Sequence, residues 1–212
     1  MNQDGWKGKL RNPFVQQYLI EIVFPLVGYF FFDWNIWVIA IYYFFDQLGA
    51  QILFYGRAFI VNKKAETTRN LFGFFLSIIA FFLLFVFEIC IIGTAVMQTQ
   101  VWTINKLETA LIDFLVSEGW LLFPVLLLAY HLKDQFSFYM PRHYLKYDMG
   151  NMLKWNLISN VVIVLFIGLG TVIWRQFTLS NSLVIISFVV FKVAFDLLKR
   201  PFVLKKMKKS KI

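Results

Sequence analysis

The chain has 212 residues, of which 59% are hydrophobic, 20% aromatic and only 16% charged, with a mean hydropathy of +0.66. A soluble globular domain is usually ~45–50% apolar and ~25% charged, so a water-soluble fold of this size has nowhere to place so much apolar side chain, and disorder is excluded for the same reason. One cysteine, Cys90, excludes an intrachain disulfide framework. The remaining class is a polytopic membrane protein.

Residues 1–13 are polar, and no small-residue cleavage pattern follows the first apolar run, so no cleavable leader is expected. Six runs are long enough to cross ~30 Å of hydrocarbon as helices. They cover roughly 14–32, 36–59, 71–97, 116–135, 152–174 and 180–199. The runs are continuous and lack the in–out alternation of barrel strands, so they predict helices. Between the third and fourth, residues 105–115 place Leu107, Ala110, Leu111, Phe114 and Leu115 on one helical face with charges opposite. That pattern predicts an amphipathic helix on the outer membrane surface, or an early turn of the fourth span. The connection after the fourth span mixes aromatic and basic residues, which predicts Phe136, Phe138, Tyr139 and Tyr144 at headgroup depth. Residues 200–212 form a polybasic tail suited to anionic lipid. Nucleic acid is not an expected partner, because the tail has no folded platform to order it.

The basic residues set the orientation. All of the 21 Lys and Arg except Lys106, Arg175 and Lys192 flank the N-terminus, the 2–3 loop, the 4–5 loop or the C-terminus. Those segments share one side only if the number of spans is even. The positive-inside rule then places both termini in the cytoplasm. The expected fold is therefore an all-α bundle of six transmembrane helices. Small residues Gly49, Gly56 and Gly93 are expected on outward faces, available to a second copy or another membrane partner.

Ionisable groups at membrane depth are costly and tend to face the bundle interior. Here they are Glu21, Asp46, Glu88, Lys192 and Asp196. Lys192 and Asp196 are four apart, so they share a helical face and can pair. Glu21 and Lys192 both lie about 10 Å from the inner ends of their spans. Gln47 and Gln51 follow Asp46 on the second span, and Asn160 lies on the fifth with Asn156 one turn before it. These groups predict one polar core gathered around Lys192, with Asp46 and Glu21 sharing its proton or a solute. Gln47, Gln51 and Asn160 would bond the ligand.

No Walker loop, HExxH, GxGxxG or Ser/His/Asp pattern is present in the sequence, so an enzyme is not the expected class and no cofactor is implied. His131 and His143 are twelve apart across a Pro, which is not a metal-ligand spacing. Three readings follow. The first is a small ion- or proton-linked carrier or channel-like protein. The second is a non-catalytic membrane subunit or scaffold whose polar core is structural. The third, with the least support, is an intramembrane enzyme using an acid pair in a membrane cavity.

An aromatic run leads into an acid and an amide at Tyr43, Phe44, Phe45, Asp46 and Gln47, and a Lys-x-x-x-Asp turn at Lys192 to Asp196 closes the last span. In these features the chain resembles a family of bacterial integral membrane proteins classed as a domain of unknown function. That family usually carries Glu-Asn where this chain has Asp46 and Gln47, and a His or similar group where this chain has Lys199. The resemblance implies a polar site between the second and last spans.

Overall fold

The computed structural model describes residues 13–64, 71–100, 102–177, 180, 182–190, 194 and 207, with the backbone alone for 13–21, 64, 118, 119, 133, 137 and 143. Every regular element among them is helical. Six α-helices run in order: α1 Pro13–Phe31, α2 Ile36–Lys64, α3 Leu71–Gln100, α4 Ile104–Phe114, α5 Trp120–Asp134 and α6 Met149–Phe177. A further helical stretch, α7, covers 182–190. Among the described residues, three helices are long and apolar enough to cross a membrane: Ile36–Lys63 within α2, then α3 and α6. The α4–α5 pair, bent by 66°, brings the number to four if it forms one span. Of the expected last span only 182–190 and 194 lie within the described residues, and of the basic tail only Met207.

The fourth apolar run is not a single straight helix. A π-helical turn, Leu115–Gly119, separates α4 from α5, and a second, Gln135–Tyr139, ends α5. Thr103 starts α4 by accepting from the Lys106 N–H at 3.3 Å. The buried Leu107 and Phe114 turn α4 toward the bundle, and the Trp37 indole fixes it there by donating to the Leu107 carbonyl at 3.2 Å.

The helices are arranged around α2. It packs against α1, α3, α4, α5 and α6, whereas the most extensive pairing elsewhere is α3 with α6. Its most apolar stretch is 56% buried, against 22% for α3 and α6. The sequence gives the reason. The α2 stretch has a mean hydropathy of 1.4, compared with 2.9 and 2.3 for the other two. A helix with that many polar side chains is stable at membrane depth only when its neighbours cover it. The outer faces of α3 and α6 carry exposed Phe72, Phe75, Leu83, Phe87, Leu165 and Leu169, which suit acyl chains.

The α1–α2 turn needs two unusual backbone positions. The Gly28 carbonyl accepts from the Phe32 and Trp34 N–H groups, and Asp33 takes the left-handed conformation at φ 52°. Asn35 then caps α2, its side chain accepting from Val38 N–H at 3.0 Å. The turn folds the Trp34 ring directly onto Gly28. A Cβ at Gly28 would lie 2.3 Å from the ring, so only glycine allows this approach.

Two expectations about side-chain direction are corrected. Gly49 and Gly93 face inward: a Cβ on Gly49 would touch Leu127 and Tyr130, and one on Gly93 would touch Trp37. Only Gly56 opens outward. Phe138 is buried in a cluster with Phe54, Tyr55 and Met149 rather than exposed at the periphery, while Phe136 is exposed. The π-helical turn shifts the register of the chain after Asp134, and this swings Phe138 under the bundle.

Candidate functional site

The polar side chains of α2 form two seams. At about 100° per residue, Asp46 and Arg57, eleven positions apart, fall on one side. Gln51, Tyr55 and Asn62 fall on another, about 140° from Asp46. Each side meets a different neighbour.

The first seam joins α2 to α5. Asp46 is 4% exposed, and the Tyr130 hydroxyl donates to its Oδ1 at 2.5 Å. Gly49, one turn along, leaves space for the Tyr130 ring to lie across α2. Farther along, Arg57 Nε lies 3.2 Å from Asp134 Oδ2. The Arg57 guanidinium also sits 6.0 Å from the Phe54 ring centroid and 5.7 Å from that of Phe138, within range of cation–π attraction. The two pairs follow the same order along both helices, so α2 and α5 are parallel. Helical side chains lean toward their N-terminus, so Tyr130 and Arg57 both reach back along their helices to make these contacts. Just past the end of α5, burial raises the Tyr139 phenol above its ordinary range. The Asp134 carboxylate adds to that rise and Arg57 opposes it.

The second seam joins α2 to α6 and α3. Gln51 and Asn156 exchange hydrogen bonds in both directions, at 3.2 Å and 2.8 Å. Gln51 Nε2 also donates to Asn160 Oδ1 at 3.1 Å. Asn160 is 2% exposed, and its Nδ2 has no hydrogen-bond partner among the described residues. One turn toward the C-terminus of α2, the Tyr55 hydroxyl donates to the Ser77 carbonyl of α3 at 2.7 Å and lies 3.1 Å from the Ser77 hydroxyl.

Of the sequence candidates, Gln51 and Asn160 therefore touch directly, and Asp46 turns away from both toward α5. Gln47 is half-buried, and Glu88 is 3% exposed on α3, on the same side of that helix as Ser77. Lys192, Asp196 and the side chain of Glu21 lie outside the described residues. Tyr130, Asp134 and Tyr55 join the site without having been singled out in the sequence. The available signal was their spacing: Tyr130 and Asp134 are one turn apart, as are Gln51 and Tyr55. A cavity of about 310 Å³ lies at the other end of the bundle, lined by Tyr29, Asp33, Trp34, Asn35, Ile36 and Trp102 among others. Neither seam contributes to its lining. Beside it, the Tyr29 hydroxyl shares a 2.7 Å hydrogen bond with Ser182, joining α7 to α1.

Among the described residues, no group of His, Cys, Asp and Glu could hold a metal ion. No protein-family model matches the chain, and neither does any curated protein or solved structure.

Proposed function

We propose that the chain is a six-span integral membrane protein, with both ends cytoplasmic, that moves protons or an ion coupled to them. The observation that supports this is the Asp46–Tyr130 contact: a carboxyl 4% exposed in the middle of a membrane-length helix that accepts from a phenol of α5. An acid at that depth is expensive to keep and is a functional candidate by default. The Tyr130 hydroxyl ties this acid to α5, so a change at Asp46 acts on how closely α5 holds α2. In this reading Lys192 and Asp196 supply the charged centre beside it and Glu21 shares its proton. Gln47, Gln51, Asn160 and Glu88 line the path. The suggested relation to the family of bacterial membrane proteins that shares the Asp46–Gln47 and Lys192–Asp196 features belongs to the same proposal.

The test is proton flux in liposomes containing the purified chain. Wild type should acidify the lumen faster than protein-free vesicles under an imposed gradient, and Asp46→Asn should return the rate to the protein-free level. Equal rates for wild type and empty vesicles would refute the proposal.

A second reading, a membrane scaffold with a structural polar core, is favoured by the reciprocal Gln51–Asn156 pair. Amides that satisfy each other hold helices in register and leave little bonding capacity for a solute. Under this reading Asp46→Asn changes stability and no flux is measured.

A further inference from the structure

The cavity of about 310 Å³ lies where α1 turns into α2 and α3 gives way to α4. Its volume is at the lower end of ligand pockets, ~300–1,000 Å³, so it suits a small molecule. Three aromatic residues line it: Tyr29 from α1, Trp34 from the α1–α2 turn and Trp102 from the segment before α4. One carboxylate joins them. Asp33 is exposed at the rim, in the left-handed conformation at φ 52°. Aspartate is among the few residues enriched in that conformation. The turn that folds Trp34 onto Gly28 therefore also delivers an acid to the cavity. The Asp33 carboxylate forms no ion pair among the described residues.

Two of the other polar side chains in the lining are already engaged. The Tyr29 hydroxyl shares a hydrogen bond with Ser182, and the Asn35 side-chain oxygen caps α2 by accepting from the Val38 N–H. A metal ion needs several oxygen ligands in place of its water. An ammonium bearing N–H groups needs an acceptor for each. A single rim carboxylate is a poor match for either. A cation whose charge is spread over methyl groups needs no acceptors, and it is attracted by aromatic faces and by a nearby negative charge. One ring of the wall already holds a cation: Lys106 Nζ lies 5.0 Å from the Trp102 ring centroid. We propose that the cavity binds a small quaternary ammonium compound, with Tyr29, Trp34 and Trp102 as its aromatic wall and Asp33 as its counter-charge. Lys106 opposes that binding by engaging Trp102 and by adding a like charge. The cavity lies apart from both polar seams, so this site goes beyond the proton-moving reading and does not need it.

The test is calorimetric titration of the full chain in a neutral detergent at constant ionic strength. Choline is the probe, and dimethylbutanol, its uncharged carbon isostere, is the control. Choline should bind about tenfold more tightly than the alcohol. Asp33→Asn removes the charge and keeps a side chain that accepts the left-handed backbone, and it should weaken choline binding by about fivefold. Trp102→Leu should weaken it by about the same factor, and Lys106→Gln should tighten it by about twofold. Asp33 is exposed, so its variant keeps the test readable if Trp102→Leu fails to fold. Equal affinity for choline and the alcohol would overturn the proposal, since the cavity would then be merely apolar. So would an absence of choline binding by wild type, or binding that Asp33→Asn leaves unchanged. Choline binding without proton flux would keep this site and refute only the flux reading.

Discussion

Asp46 and Gln51 are five residues apart on α2 and point about 140° away from each other. Asp46 meets Tyr130 of α5, and Gln51 meets Asn156 and Asn160 of α6. The buried polar groups of one helix therefore hold two different neighbours, and each attachment can be weakened separately.

On the α5 side, Tyr130→Phe removes the donor to a buried carboxyl and leaves the ring packing in place. The expected cost is about 1–2 kcal/mol, between the value for a hydrogen bond to a charged group and the lower values found in membrane proteins. Thermal unfolding in detergent measures it. Asp46→Asn keeps an oxygen that can accept from the phenol but removes the charge, and adding it to Tyr130→Phe should cost less than the two single effects combined, since both changes act on the same contact.

On the α6 side, the two asparagines are unequal. Asn156→Leu removes both reciprocal bonds and leaves the Gln51 carbonyl oxygen without its donor. Asn160→Leu removes one acceptor from a Gln51 amine that keeps another, and it also removes an Nδ2 that has no partner among the described residues. Asn156→Leu should cost about 1–2 kcal/mol and Asn160→Leu less than about 0.6 kcal/mol. Equal costs would mean that Asn160 is bonded in a way this geometry omits.

At the α1–α2 turn, Gly28→Ala forces a methyl against the Trp34 ring. Trp34 is 8% exposed and packs edge-on against Phe24 and Phe114, so it has little room to retreat. Overpacking of this kind costs about 1–3 kcal/mol. The same variant should blue- or red-shift tryptophan emission, because the indole environment changes with it.

Tyr139 gives a pH prediction. Its phenol is raised above the ordinary 10.0, with burial as the main cause. Below that value both folded and unfolded chains keep the proton, and the stabilising contribution is complete. Above it the unfolded chain loses the proton first, so stability falls as pH rises through the folded value. Tyr139→Phe should reduce this alkaline loss relative to wild type and leave neutral-pH stability nearly unchanged.

The helical class and the existence of α2, α3 and α6 as long helices were legible because long apolar runs have few alternatives; α2 continues to Lys64, five residues past the expected end. The paired helical faces Asn156–Asn160 and Gln51–Tyr55 were also present in the spacing. Three features were not legible. Gly49 reads as an outward contact residue until Tyr130 is seen beside it. Phe138 reads as interfacial because a π-helical turn changes register without a strong local signature. Asp46 and Gln51 read as parts of one polar core because both are polar and close in sequence, although helical geometry turns them toward different neighbours. Composition tells which residues avoid lipid. Which neighbour covers each of them is decided by packing between segments distant in the chain.

The Gln51–Asn156 pair spans 105 positions of sequence. At a synthesis rate of about 5–20 residues per second, the ribosome finishes α2 roughly 5–20 s before the asparagine exists. Throughout that interval the amide bonds to water or to its own helix backbone, and α2 lacks the covering that its composition demands. A nascent chain released before residue 156 should therefore be extracted from the bilayer by alkali or urea, and one released after α6 should resist. The least apolar of the long helices becomes secure only when one made a hundred residues later arrives.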